Sequence, residues 1–289
     1  MAEEVKESGY EDEEAKFKAE LGNLLKKVIK QGQLIVCGTK QTGKTNATMW
    51  LMRVLMETKA FQGGKIKIRI FDLPLVWRYR FDGIPYFTHG LDSKYIPEDV
   101  NAVIVDIPYV SADRTKRAVL DALVEEFWRK RSEKEELEGK FKDIAVYVLE
   151  ECQNVFGSYA LSGSEGKIAL KIFSECANYG IVVIGTTQRL SDVSTKIVER
   201  SQYLLIGRLT GDNDLRKIRR VTNKVISERV KELKRGEFIF WDRDEPEMIA
   251  RIYFPQFQRK GEAYPLFKED QAGIKHFAGF YKREFVGEV

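Results

Sequence analysis

Histidine occurs only at His89 and His276, and cysteine only at Cys37, Cys152 and Cys176, far apart and in no metal-ligand spacing. That scarcity argues against a structural zinc and points to a reducing compartment. No run of eighteen apolar residues exists, so the sequence holds no bilayer-spanning segment and direct membrane insertion is not expected. The opening MAEEVKESGYEDEEAKFKAE is acidic and lacks an apolar stretch, which excludes a secretory signal and makes the expected location cytoplasmic. Internal repeats and low-complexity tracts are lacking too. Net charge is small, +4 with a sequence pI near 8.7, so a polyanionic partner would have to meet basic residues gathered on one face or loop.

What is present is an ordinary globular profile, 43% hydrophobic and 32% charged over 289 residues, enough for one large α/β domain. Residues 1–30 read as a charged segment and a helix, with Phe17, Leu21, Leu24, Leu25 and Val28 at helical spacing. From Gln33 onward short apolar runs alternate with helical stretches. The expected strands are 34–38, 65–71, 102–107, 144–149, 181–186 and 203–209, and the expected helices include 45–58, 114–138 and 164–178. That alternation predicts a mostly parallel sheet covered on both faces. A mainly helical run from Asp212 to Arg235 is expected to end at Gly236 in a left-handed cap. GEFIFWDRDEPEMIARIYF predicts a hairpin around DRDEP, and a mixed tail follows. The division is therefore 1–30, a core over 31–255, and a tail over 256–289.

The strongest motif is Gly38-Thr39-Lys40-Gln41-Thr42-Gly43-Lys44-Thr45, which fits G-x-x-x-x-G-K-[ST] without mismatch. A strand, QLIVC, runs into it and a helix, TNATMWLMRVLMET, runs out of it. Glycines let successive backbone N–H groups converge on one anion, and the helix N-terminus adds partial positive charge. Lys44 is expected to reach the β- and γ-phosphates of ATP and Thr45 to offer a hydroxyl to Mg²⁺. The nucleotide-binding set runs through Asn46.

A phosphate loop of this kind needs acids nearby. The run DIAVYVLEE ends in Glu150 and Glu151, where a bend at the strand's end can turn both side chains towards the nucleotide. Glu150 is assigned to the metal shell and Glu151 to polarising the attacking water. IVVIGTTQRL then places Gln188 at the end of another strand, where an amide can contact both water and γ-phosphate without titrating.

Taken together and in order, these elements resemble the HerA/FtsK superfamily of DNA-translocating ATPases, most closely its HerA-like branch. The resemblance spans roughly 32–255: GTKQTGKT, IRIFD with Asp72, NAVIVDIPYVSADRTKRAVLDALVEEFWRKR, VLEECQNVF, ANYGIVVIGTTQRLSDVSTKIVERSQYLLIGRLTGDNDLRKI, and LKRGEFIFW. It implies a RecA-like (ASCE) sheet with the glutamine strand between the phosphate-loop strand and the carboxylate strand. It further implies a homo-oligomer, a hexameric ring with double-stranded DNA in its channel, and a neighbour's arginine completing each ATP site. Two departures stand out. Glutamate replaces the usual aspartate at 150, and the helix before the glutamine strand carries Lys171 where family members often have arginine. Arg200 and Arg208 are the other candidates for the trans finger. The compact core resembles viral genome-packaging ATPases, which would place it in a host cytoplasm or with a virion.

Translocation needs basic loops that meet phosphates without reading sequence. WRYR (77–80), with Arg78 and Arg80 beside aromatic rings, is the leading DNA-contact candidate, ahead of 113–117 and 128–142. The competing functions are a conjugation- or secretion-type motor moving protein, and a nucleotide-binding regulatory module without turnover.

Overall fold

In the computed structural model the backbone is described for residues 2–72, 76–81, 86–89, 100–106, 112–158, 161, 163–257, 267–269, 275–277 and 279–285. Side chains are described for 14–72, 76–77, 80–81, 100–105, 116–158, 161 and 166–257. The chain opens with helix α1 (Ala2–Gln31), strand β1 (Gln33–Cys37), α2 (Lys44–Met56) and α3 (Lys59–Gln62). Next come β2 (Ile66–Asp72), α4 (Trp77–Arg80), β3 (Tyr86–His89), β4 (Ala102–Asp106) and α5 (Ala112–Glu136). The middle holds β5 (Ile144–Leu149), α6 (Gln153–Phe156), α7 (Gly163–Glu175), β6 (Ile181–Thr187), α8 (Thr195–Arg200) and β7 (Tyr203–Ile206). Last are α9 (Asp212–Val221), α10 (Lys224–Arg229), β8 (Glu237–Asp242), β9 (Met248–Tyr253), β10 (Phe267–Glu269), β11 (Lys275–Phe277) and β12 (Gly279–Phe285).

One ten-stranded sheet takes the order β12-β9-β8-β7-β1-β6-β5-β2-β4-β3, with β10 and β11 paired separately. From β7 through β3 the pairings are all parallel, and β8, β9 and β12 add antiparallel strands at one side. β6 lies between β1 and β5, so the glutamine strand separates the phosphate-loop strand from the carboxylate strand, as the resemblance implies. Alternation along each central strand explains why both faces are covered. In β1, Leu34 and Val36 join the core against α1 and α2, while Ile35 and Cys37 join the core against α5, α7 and α9. β5 divides the same way, Val146 and Val148 against Ala145, Tyr147 and Leu149. Side chains buried on both faces are what near-continuous apolar strands require.

The five apolar positions of α1 are buried to 4% exposure or less, in the same core as α2 and β8. Phe17 meets Trp50 edge-on, with ring centroids 5.2 Å apart. One local expectation changes. Helix α10 ends at Arg229, well short of Gly236, so Gly236 does not cap a helix; glycine is needed there for its left-handed backbone (φ 85°) and because a Cβ would sit 2.8 Å from the Phe254 carbonyl oxygen. In the tail, expected as mixed, β12 pairs with β9. Strands β3, β10, β11 and β12 and the short helices α3, α4 and α6 were not anticipated.

Candidate active site

Because β1 and β6 are parallel, both deliver their C-terminal ends to the same end of the sheet, together with β5 and β7. The phosphate loop forms there. Gly43 adopts a left-handed backbone (φ 99°) as it hands over to α2, and Gln41 does so at φ 66°. Three later segments hold the loop. The Thr39 N–H donates to the Arg208 carbonyl (2.8 Å), the Gly236 N–H donates to the Thr42 carbonyl (2.9 Å), and the Gly38 N–H donates to the Thr187 carbonyl (3.3 Å). Lys44 is buried and folds back so that Nζ donates to the Thr39 carbonyl at 3.1 Å. Burial lowers its pKa, opposed by the nearby charges of Glu151 and Glu150.

Both carboxylates that end β5 enter the site, for different structural reasons. Glu150 is buried, its Oε2 accepting from Thr186 Oγ1 at 2.5 Å and its Oε1 from the Trp77 indole N–H at 2.9 Å. Burial pushes its pKa up against those two hydrogen bonds, and the charges of Asp72 and Glu151 add to the rise. Thr45 Oγ1 lies 3.5 Å from Glu150 Oε2. That gap is wider than the roughly 2.9 Å between cis ligands of Mg²⁺, so the pair fits that ion with a water between it and one of the two, and Mg²⁺ usually keeps several waters. Glu151 then turns into the left-handed region (φ 52°), a conformation that costs a non-glycine residue on the order of 1–3 kcal/mol. That turn brings its carboxylate round to accept from Gln188 Nε2 (2.6 Å) on one oxygen and Gln153 Nε2 (2.7 Å) on the other.

Beside this pair is an open cleft of about 490 Å³, lined by Thr39 and Lys40 of the phosphate loop, by Glu151, Gln153, Gln188 and Arg189, and by Asp192, Thr210, Gly211 and Asp214. Gln153 and Arg189 were not singled out from the sequence. The extended run VLEECQ hides Gln153 because α6 begins immediately after the bend, and Arg189 directly follows Gln188. Asn46 is placed differently from a nucleotide-facing side chain. Its Nδ2 donates to the Pro255 carbonyl (2.7 Å) and its Oδ1 accepts from the Phe257 N–H (2.5 Å), leaving its backbone for the loop.

The remaining candidates disperse. Arg208 lies just beyond β7 at the nucleotide end and is exposed. Arg200 lies just before β7, at the opposite end, with Nη1 donating to Ser174 Oγ at 2.5 Å. Lys171 is exposed on α7. WRYR forms α4 rather than a loop. Trp77 is fully buried, its backbone N–H donating to Asp72 Oδ2 at 2.7 Å, and Arg80 is exposed. The Arg78 side chain lies outside the described residues. In the 128–142 stretch, Lys130 is fully buried in an ion network with Asp143. Among the described residues no helix is long and apolar enough to cross a membrane.

The sequence matches no protein-family model and no curated protein. Solved structures do match its fold. One is the genome packaging NTPase B204 from Sulfolobus turreted icosahedral virus 2 in complex with ATP-gammaS. It is 18% identical with a TM-score of 0.57, and the match covers 77% of this chain and 97% of that one. Another is EssC (ATPases 2 and 3) from Geobacillus thermodenitrificans, at 11% identity and a TM-score of 0.55, covering 81% of this chain and 41% of that one. A third is the cytoplasmic domain of the Thermomonospora curvata type VII secretion ATPase EccC, at 14% and 0.52, covering 84% and 27%. The fold is that of a RecA-like P-loop NTPase, a mostly parallel sheet flanked by helices.

Proposed function

We propose that this chain is an ATP-hydrolysing motor of the HerA/FtsK type that moves double-stranded DNA, working as a hexameric ring and serving viral genome packaging. The observation that carries the reading is the Glu151–Gln188 hydrogen bond in the lining of the cleft, which the phosphate loop also lines. A carboxylate and an amide in contact at a strand end can together hold a water for in-line attack. The carboxylate takes the proton, and the amide senses the γ-phosphate. Each Glu151 oxygen already accepts one amide N–H, and its second lone pair is left for a water. The backbone N–H groups of residues 43–45, at the start of α2, would cradle the phosphates, with Lys44 the cation for the β- and γ-phosphates and Thr45 the hydroxyl for Mg²⁺. Mg²⁺ would supply charge neutralisation between Thr45 and Glu150. Arg200, Arg208 and Lys171 are the cations offered to a neighbouring subunit's site.

The likeness to a genome packaging NTPase supports the DNA load. The likeness to EssC and EccC favours a second reading in which the load is protein. ATP turnover measured with and without linear duplex DNA separates them. Duplex-stimulated hydrolysis that vanishes in Lys44→Ala supports the DNA motor. Equal turnover in both conditions, by a protein that stays monomeric with nucleotide, sinks it.

A further inference from the structure

Charge along this chain is not spread evenly. Between Asp212 and Arg235 stand nine lysines and arginines against four aspartates and glutamates, a surplus of five, whereas the whole chain carries +4. The rest of the protein therefore sums to −1. This segment is folded: Ile218, Val221, Ile226 and Val230 are buried in the core, so the cations are turned outward. Arg216, Arg219, Arg220, Lys224, Arg229 and Lys231 are exposed. Arg220 pairs with Glu199 (2.9 Å) and Lys231 with Glu228 (2.7 Å), whereas Arg216, Arg219 and Lys224 enter no ion pair among the described residues.

We propose that the outer face of α9 and α10 is the surface that grips the phosphate backbone of duplex DNA, an assignment that rests on the DNA-motor reading above. Arg216, Arg219 and Arg220 recur at i, i+3 and i+4, on one side of α9. They span about 6 Å of helix axis, against a rise of about 3.4 Å per phosphate along a DNA strand. Guanidinium groups match phosphate oxygens in fork geometry, and such contacts hold DNA whatever its sequence, as a translocating motor requires. A second copy of this face would be repelled by the same surplus.

The surface is also tied to the site. Asp214 Oδ1 accepts from the Ser191 N–H at 2.7 Å, and Lys217 Nζ donates to the carbonyls of Leu190 (3.0 Å), Ser191 (3.1 Å) and Val193 (2.5 Å). Those residues directly follow Gln188 and Arg189. A pull on α9 is therefore delivered to the turn that carries the Glu151 partner.

The test is anisotropy of a labelled linear duplex over a KCl series, with the full chain and two variants. Arg216→Gln/Arg219→Gln/Lys224→Gln removes charge gently, and the glutamate triple reverses it. Melting temperature serves as the folding control and binding of a fluorescent ATP analogue as the site control. The glutamine triple is expected to bind duplex at least tenfold more weakly, with a log–log salt slope shallower by about 3, while binding the ATP analogue like the parent. Unchanged duplex affinity and slope would overturn the surface and leave the DNA reading standing on the parent's own binding. A parent with no salt-dependent duplex binding would fail the motor reading together with the surface. Unchanged duplex binding with lost nucleotide-dependent assembly would reassign the face to a protein contact and overturn the proposal.

Discussion

The two ends of the parallel sheet both bury charged side chains, and they treat them in opposite ways. At the end where β5 starts, Lys130 is fully buried yet donates to the Asp143 carboxylate at 2.6 Å and to its backbone carbonyl, and lies 3.2 Å from Glu133. Arg129 reaches Glu126, Glu133 and Asp143, and the Lys142 N–H donates to Glu133. Burial pushes Asp143 up, but its bond to Lys130 and the charges of Lys130, Arg129 and Lys67 outweigh it and hold the carboxyl below its ordinary value. At the other end Glu150 is held above its ordinary value by burial, Lys44 below its own, and Glu151 sits in a strained backbone. Paired charges that settle into their ionised forms make a clamp. Carboxylates crowded beside one another, with a lysine bent onto its own loop, make a site suited to the function proposed above.

The contrast can be broken most severely at Glu151. Glu151→Gln is expected to cut ATP turnover by roughly 10²–10⁴-fold while binding of a non-hydrolysable analogue persists, measured by single-turnover assay and titration. Lys130→Met strikes the opposite end. It takes the buried cation from two carboxylates that Arg129 still reaches, and should cost about 3 kcal/mol, a fall in melting temperature of roughly 6–10 °C by calorimetry. Turnover per folded molecule should stay at the parent level, because no part of the cleft is touched.

Trp77→Phe sharpens the comparison more finely. Glu150 must be ionised to hold a cation, and its raised pKa means activity falls as pH drops through a value above the ordinary 4.5. Loss of the indole hydrogen bond removes a stabiliser of the charged form worth about 1.5–3 kcal/mol. The acid limb of the pH–rate profile should therefore move upward by roughly one to two pH units, with a higher Mg²⁺ requirement. An unmoved limb would show that Trp77 only fills space. The subtlest effect expected is the acid response at Asp143. Its depressed pKa gives stability that is present at neutral pH and lost as pH falls through the folded value, below 3.8. The gap between the parent and Asp143→Asn in urea unfolding should close over that range.

Much of this layout is written in the sequence where local chemistry is dense. The phosphate loop, its strand and its helix follow from eight consecutive residues, and the place of the glutamine strand between the other two is what the family resemblance implies. What escapes local reading is where distant segments meet. Nothing near Trp77 announces that its indole faces Glu150, because that contact depends on β2 and β5 lying side by side. An aromatic run flanked by arginines reads as a DNA loop until burial claims its first residue. Asn46 reads as part of the loop, yet its amide is occupied by residues more than two hundred positions later. The α9–α10 charge surplus was available by counting, but Asp214 and Lys217 look like solvated charges until α9 is seen against the Gln188 turn.

That late clasp on Asn46 has a bearing on how the protein is made. The bond from the Phe257 N–H closes a loop of 211 residues, and the Gly236 bond to Thr42 closes one nearly as long. At about 5–20 residues per second, roughly 10–40 s of synthesis separate the emergence of the phosphate loop from the arrival of its last brace. A nascent chain thus carries the complete motif long before it has a shaped pocket, and nucleotide in the cell can steady this fold only after translation has passed the final strand of the hairpin.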